Sequence, residues 1–282
     1  MTKDLSILAI DFGTHELTAL AIEQTLQCIE PKEIIVVSDK NLYPGSTWVP
    51  CKPVRNYLQY NELMLKWTYP LVDTAHTLYV QYDGFAVNKD CWTDDFLKYD
   101  YIGAIWSHIP ETHNVGNGGF SLRSKRLLEA CRDPVIQITD SKEWVANEDH
   151  LIGATHRRFL EHKYLVKFAP PSVAKKFSYE TGEMSVKTFG VHGLHNLVYY
   201  ADDEHYNKVI DLLRYNDWGK DKWVNFLFAL AMKGRFSRMT EILNKLLEHN
   251  SGYMPEIYKT LQEHAARHPN IKKLSQLIVK ND

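Results

Sequence analysis

The chain has 282 residues, 33 Lys and Arg against 35 Asp and Glu, and 44% hydrophobic residues; this is the make-up of one or two packed domains and excludes a disordered or collagen-like polymer. Residues 1 to 160 carry 15 basic and 21 acidic side chains and the remainder 18 and 14, so no whole-chain field attracts nucleic acid, while a local basic surface after residue 160 stays open. No uncharged apolar run approaches the roughly 20 residues that cross a bilayer, and the start lacks the pattern of a signal peptide, so no transmembrane segment and a cytoplasmic location are expected.

Leu5-Ser-Ile-Leu-Ala-Ile10 reads as a buried strand closed by Asp-Phe-Gly. Thr14 then stands where it can cap a helix whose apolar face is Leu17, Leu20, Ala21 and Cys28, ending near Ile29 before Pro31. A second strand, Glu33 to Ser38, ends at Asp39. A loop with Pro44, Gly45, Pro50 and Pro53 leads to a helical stretch from Asn56 to Val72, and Thr77 to Tyr82 forms a third strand. Strands alternating with helices predict an α/β layer with functional groups at the carboxyl ends of parallel strands. After residue 200 the pattern turns helical: Met239, Ile242, Leu243, Leu246 and Leu247, then Met254, Ile257, Tyr258 and Leu261, then Ile271, Leu274, Leu277 and Ile278. Val209 to Leu213 and Trp223 to Met232 add two more helices. The expected division is residues 1–202 as an α/β domain and 203–282 as an all-helical one. The four cysteines, Cys28, Cys51, Cys91 and Cys131, form no C-x-x-C pair and read as free thiols.

Five segments carry chemistry. Asp11-Phe-Gly-Thr14 invites comparison with the phosphate loop of the actin and sugar-kinase superfamily, but the helical periodicity of His15 to Ile29 replaces the second hairpin strand such a loop needs, leaving a strand-to-helix turn. Gln81-Tyr82-Asp83-Gly84 ends the third strand; alternation points Gln81 and Asp83 the same way, either as a plain turn or as a carboxylate for Mg2+ or Mn2+ whose other positions take diphosphate oxygens. Gly116-Asn-Gly-Gly-Phe-Ser-Leu-Arg123 is either a bend or a loop whose backbone approaches a ligand, with Arg123 or Lys125 adding charge. Asn147-Glu148-Asp149 opens a helix running through Phe159; it serves as a cap with first-turn acids, or Asp149 or Glu148 serves as a general base. In Phe189-Gly-Val-His192-Gly193, His192 is either solvated or a ligand for a metal or phosphate, with His195 as its competitor.

In this order, Gln81-x-Asp83-Gly-Phe85, Tyr99-Asp-Tyr-Ile-Gly-Ala104, Val115-Gly-Asn-Gly-Gly-Phe-Ser-Leu-Arg123, Glu148-Asp149 and Phe189-Gly-x-His-Gly193 resemble a glycosyltransferase-like family known mainly as a domain of unknown function, and more broadly the GT-A glycosyltransferases. The resemblance covers residues 1 to about 200 and implies a GT-A, Rossmann-like fold binding a nucleotide-sugar donor such as a UDP-sugar. It implies Asp83 as the metal aspartate and His192 as the carboxyl-terminal metal histidine. The loop with Gly118 and Gly119 would lie near donor and acceptor, Asp149 would be the base, and Thr14 and Asp39 would meet the nucleoside. Gln81 stands where the usual D-x-D has its first aspartate, and glutamine can hydrogen-bond a ribose hydroxyl or a metal-bound water. The expectation is an inverting, Mn2+- or Mg2+-assisted glycosyltransferase acting on a glycan or lipid-linked precursor. Its alternatives are a phage or viral enzyme glycosylating a modified base in DNA and a non-catalytic binding module.

Overall fold

The computed structural model describes residues 3–54, 56–106, 109, 113–138, 140–141, 144–145, 147–181, 187–201, 203–213, 219–249 and 251–267. In chain order the first unit holds β1 (Lys3–Asp11), α1 (His15–Leu26), β2 (Pro31–Ser38), β3 (Thr47–Pro50), α2 (Tyr57–Glu62), β4 (His76–Val80), β5 (Gly84–Ala86), β6 (Tyr101–Ile102), β7 (Ser121–Ser124), α3 (Lys125–Ala130), β8 (Asp140–Ser141), β9 (Trp144–Val145), α4 (Glu148–His150), α5 (Arg157–Tyr164), α6 (Pro171–Phe177), β10 (Ser178–Tyr179) and β11 (Gly190–His192). The second, all-helical, holds α7 (Leu197–Tyr200), α8 (Asp203–Asp211), α9 (Lys220–Met232), α10 (Phe236–His249) and α11 (Met254–Arg267). The chain divides between His192 and Gly193.

The main sheet has the order β3-β2-β1-β4-β7-β6. β1, β2, β3 and β4 run parallel, and β7 pairs antiparallel to β4 and to β6. This is the Rossmann-like α/β sheet that the GT-A resemblance implies, followed by helices. β1 is central and buried on both faces, with Leu5, Ile7, Leu8 and Ala9 fully covered, which is why it reads as an unbroken apolar run. On one face Leu8, Ile10, Ile35, Val37 and Tyr79 pack with Met64, Val72 and Leu128. Register pairs Asp11 with Ser38 and Ala9 with Val80, so Asp11, Asp39 and Gln81 gather at one sheet edge.

A smaller sheet, β10-β11-β5, closes on an aromatic core in which the Phe120 ring lies 5.3 Å from Phe177 and 5.8 Å from Phe189. Fully buried Thr25 ties it to α1: its hydroxyl donates to the Ala21 carbonyl (2.8 Å) and accepts from the Ala86 N–H (3.2 Å). Thr25→Val, nearly equal in shape, strands that N–H and is expected to cost about 1–3 kcal/mol, measured by urea unfolding.

Several expectations change locally. Thr14 makes no side-chain cap; instead its N–H (3.0 Å) and hydroxyl (2.7 Å) donate to the buried Asp11 carboxylate, so Asp11 shapes the turn. α1 ends at Leu26, a little before the expected Ile29, and Pro31 beyond it opens β2. The proline-rich loop contains β3. The stretch from Asn56 to Val72 begins as read, with the Asn56 side chain accepting from the Gln59 N–H, but α2 passes into a π turn over Leu63–Trp67 and a short 3-10 turn. The helix expected from Asn147 through Phe159 is likewise split by a π turn at Leu151–Thr155, and Asn147 gives no side-chain cap. Such widened turns release backbone groups and recur beside functional sites.

In the second unit α9 buries Trp223, Phe226, Leu227 and Leu230, and α10 buries Met239, Ile242, Leu243 and Leu246 while leaving Leu247 50% exposed. Met254, Ile257 and Leu261 of α11 complete the apolar faces. The face Ile271, Leu274, Leu277 and Ile278 lies outside the described residues. No helix among the described residues is long and apolar enough to cross a membrane. All four cysteines are free thiols, with Cys131 buried.

Candidate functional site

The site forms where β4 ends and β7 begins. Because β7 runs against β4, with Tyr79 opposite Ser121 and Thr77 opposite Arg123, the glycine loop before β7 arrives beside the chain leaving β4. That chain folds at once into a two-residue hairpin: Gln81 N–H donates to the Gly84 carbonyl (3.0 Å) and Gly84 N–H to the Gln81 carbonyl (2.9 Å). Strand alternation therefore stops at Val80, and the turn, not the pleat, sets the direction of Asp83.

At one pole, buried Asp83 Oδ1 faces His192 Nε2 at 3.7 Å. The other ring nitrogen, Nδ1, lies 3.0 Å from Glu180 Oε1. A Cβ on Gly119 would meet His192 Nε2 at 2.1 Å and Gln81 Oε1 at 2.9 Å, so the absence of a side chain there lets the imidazole and the amide oxygen pack directly against the loop backbone. Gln81 is oriented by its Nε2, which donates to the Tyr60 hydroxyl at 3.0 Å. Among the described residues no three His, Cys, Asp or Glu side chains are grouped so that they could hold a metal ion by themselves. A carboxylate, an imidazole nitrogen and an amide oxygen gathered at one place nonetheless suit an ion such as Mg2+ or Mn2+, which keeps positions for water and phosphate oxygens. The donor set fits the expected metal.

At the other pole, the Gly118 N–H donates to Asp149 Oδ2 (2.9 Å) and the His150 N–H to Oδ1 (2.7 Å). A Cβ on Gly118 would strike Glu148 Oε1 (2.5 Å) and Asp149 Cβ (2.9 Å). Burial, then the neighbouring Glu148 charge, pushes the Asp149 carboxyl up to about 7. Glu148 itself is buried and paired with Arg123 Nη2 at 2.9 Å, while Asn61 Oδ1 accepts the Glu148 N–H (3.2 Å). Adjacent Cα atoms are about 3.8 Å apart, so Gly118 and Gly119 hold the two poles within roughly 12 Å.

Arg123 lies beneath the loop and not on its surface. It is 0% exposed, its guanidinium covers the Tyr79 ring at 4.0 Å, and it donates to Ser121 Oγ (3.0 Å) and the Gly118 carbonyl (3.4 Å) as well as to Glu148. This geometry pins the loop from below, where the sequence suggested a charge facing a ligand. Lys125 turns away toward Val72 and the Tyr69 ring. His195 belongs to the second unit, whereas His192 closes the first.

Thr14 and Asp39 belong to a separate group at the ends of β1 and β2. Thr14 is bonded to Asp11, and Asp39 Oδ1 lies 2.7 Å from His15 Nε2, a hydrogen bond that holds the Asp39 carboxyl below the usual range. Tyr82 links the groups: burial and the Asp83 charge raise its hydroxyl, and Asp11 acts in the same direction.

The sequence reading missed Tyr57, Tyr60, Asn117 and Glu180. Tyr57 is 60% exposed, yet burial around its hydroxyl and the charges of Glu148, Asp149 and Asp83 raise its pKa, as they would for a ring at the mouth of an acidic cleft. The sequence signal available was two tyrosines three apart after a good helix cap. For Glu180, between α6 and a β-strand of three residues, there was none.

A family model described as "Protein of unknown function (DUF5672)" matches residues 48–192, just over half of the chain. No curated protein matches. Among solved structures, the chain is similar to a glycosyltransferase involved in the glycosylation of the major capsid of PBCV-1 (11% identity, 74% of this chain and 98% of that one, TM-score 0.44). It is also similar to the mannosyltransferase PcManGT from Pyrobaculum calidifontis in complex with GDP-Man and Mn2+ (10% identity, 98% and 79%, TM-score 0.44). A third, the bifunctional IspDF from Campylobacter jejuni, is 15% identical over 49% of this chain and 45% of that one, with TM-score 0.35, so the chain spans less than half of its length.

Proposed function

We propose that this chain, which belongs to the DUF5672 family of proteins of unknown function, is an inverting glycosyltransferase moving a sugar from a nucleoside diphosphate donor to an acceptor hydroxyl. The observation that carries the reading is the pair of differently built poles on either side of Gly118-Gly119: Asp83, His192 and Gln81 on one, and Asp149 on the other. Asp83 and His192, with Gln81 beside them, would hold a divalent cation. Bound there, it supplies positive charge for a departing diphosphate.

The chain's own residues do the rest. Gly118 and Gly119, lacking side chains, let Glu148 and Asp149 on one side and His192 and Gln81 on the other pack against the same stretch of backbone, which brings the two poles together. Asp149, raised toward neutrality by burial and Glu148, has a basicity suited to taking the acceptor proton near pH 7, and the N–H groups of Gly118 and His150 keep its oxygens oriented. Arg123 neutralises Glu148, so a single carboxylate is left to act as the base. A base and a leaving-group pole on opposite sides of one sugar favour single displacement, hence inversion. Asp11, Thr14, His15 and Asp39 at the neighbouring strand ends would meet the nucleoside, uridine being our first choice. A glycan or lipid-linked precursor is the acceptor we favour.

The test is a binding screen of nucleotide sugars with and without Mn2+, followed by nucleoside diphosphate release with glycan, lipid-linked and duplex-DNA acceptors. Saturable donor binding strengthened by Mn2+, with release that needs an acceptor, is expected. A folded chain that binds no donor and releases no diphosphate would overturn the proposal.

A further inference from the structure

Glu180 joins the two sides of the site. One carboxylate oxygen, Oε1, lies 3.0 Å from His192 Nδ1 and the other, Oε2, 3.1 Å from Asn117 Nδ2. The orientation of Asn117 is itself fixed: its Oδ1 accepts the Gly119 N–H at 3.0 Å, so its amino group must face Glu180. Two donors thus converge on one residue, and a carboxylate supplies an acceptor oxygen to each. In the neutral imidazole this holds the proton on Nδ1 and leaves Nε2, the atom facing Asp83 at 3.7 Å, as the lone-pair nitrogen.

We propose that Glu180 is a positioning residue: it selects the His192 tautomer that presents a lone pair beside Asp83, and through Asn117 it fixes the Gly119 end of the loop at the same time. The inference rests on the cation-holding role proposed above for Asp83 and His192, and it assigns the part played by a residue outside all five sequence motifs. Its chemistry makes the isosteric change the informative one. In Glu180→Gln the side chain has one acceptor oxygen and one amino group. Keeping Asn117 satisfied turns that amino group toward His192 Nδ1, which must then accept, so the ring proton moves to Nε2 and occupies the cation's place.

Two readouts test this in the full chain. Histidine-15N correlation spectra at about pH 8, with the ring assigned by the loss of its signals in His192→Asn, are expected to show the Nδ1–H tautomer in wild type and Nε2–H in Glu180→Gln. Binding of Mn2+ alone, followed by electron paramagnetic resonance, is expected to weaken about 10–100-fold in Glu180→Gln and to weaken also in Glu180→Ala, where the ring loses its fixed tautomer. An Nε2–H ring in wild type, an unchanged tautomer in Glu180→Gln, or a switched tautomer with undiminished Mn2+ binding would each overturn the proposal. Failure of the functional reading looks different. If wild type ignores Mn2+ while the tautomer still switches, the cation role falls and the positioning by Glu180 stands.

Discussion

Arg123→Met is expected to destabilise the chain by about 3–5 kcal/mol, a large part of the 5–15 kcal/mol that holds a typical domain together. The cost comes from Glu148. With Arg123 and Glu148 both buried and 2.9 Å apart, removing the cation strands a carboxylate with no water to solvate it, and the variant must protonate Glu148 or open the loop. The Gly118 carbonyl and Ser121 hydroxyl lose a donor and a partner in the same step. Urea unfolding measures the loss. Arg123→Met combined with Glu148→Gln should recover most of it, because the strand and ring packing remain while the stranded charge is gone; a double variant no more stable than the single one would show that the cation–ring contact with Tyr79 dominates instead.

Asp149→Asn is expected to lower transfer about 100- to 10,000-fold and leave donor affinity within about 2-fold, since a base acts only as the acceptor proton is transferred. In wild type, transfer should rise with pH through about 7 as the raised carboxyl ionises, and the residual rate of the variant should lack that limb. Stability moves the opposite way. A carboxyl whose folded pKa is above its unfolded value near 3.8 keeps its proton longer in the folded chain, so its contribution is full below that unfolded value and is lost as pH rises toward and through about 7. Asp149→Asn should accordingly gain stability relative to wild type between pH 4 and pH 8, on top of a pH-independent loss because its amide has one acceptor oxygen for the two N–H groups. Equal transfer rates for the two proteins, or a stability difference that is the same at both pH values, would remove Asp149 from the role of base.

The sheet was legible in the sequence where burial is two-sided and long. β1 and β2 are apolar runs because parallel strands in the middle of a layer meet side chains on both faces, and the helical tail was readable from periodicity of the kind Met239 to Leu246 displays. The small sheet was invisible: its strands are two or three residues long, and they pair across more than one hundred positions, with Gly190 against Ala86. Asp83, Asp149 and His192 could be named from the motifs, but the reason Asp83 faces His192 could not. Alternation would have continued β4 to Tyr82, whereas the hydrogen bonds between Gln81 and Gly84 end it and turn the carboxylate. Arg123 illustrates the reverse problem: a basic residue beside glycines suggests a phosphate, and only the two tyrosine rings and Glu148, brought from distant positions, show that it is interior. Glu180 meets Asn117, and Tyr57 the charges of Asp83, Glu148 and Asp149, across stretches of chain that spacing does not encode.

The antiparallel placement of β7 has a consequence for which changes of length this chain tolerates. Successive residues of a strand point to opposite sides, so sliding β7 by one position against β4 would swing the guanidinium to the far side of the layer and exchange Leu122 for a charge. The interior cation thus acts as an index pin for strand alignment. Lengthening or shortening the chain by a residue between Gly118 and Arg123 is forbidden by that pin, although the same change would pass unnoticed in an ordinary surface connection.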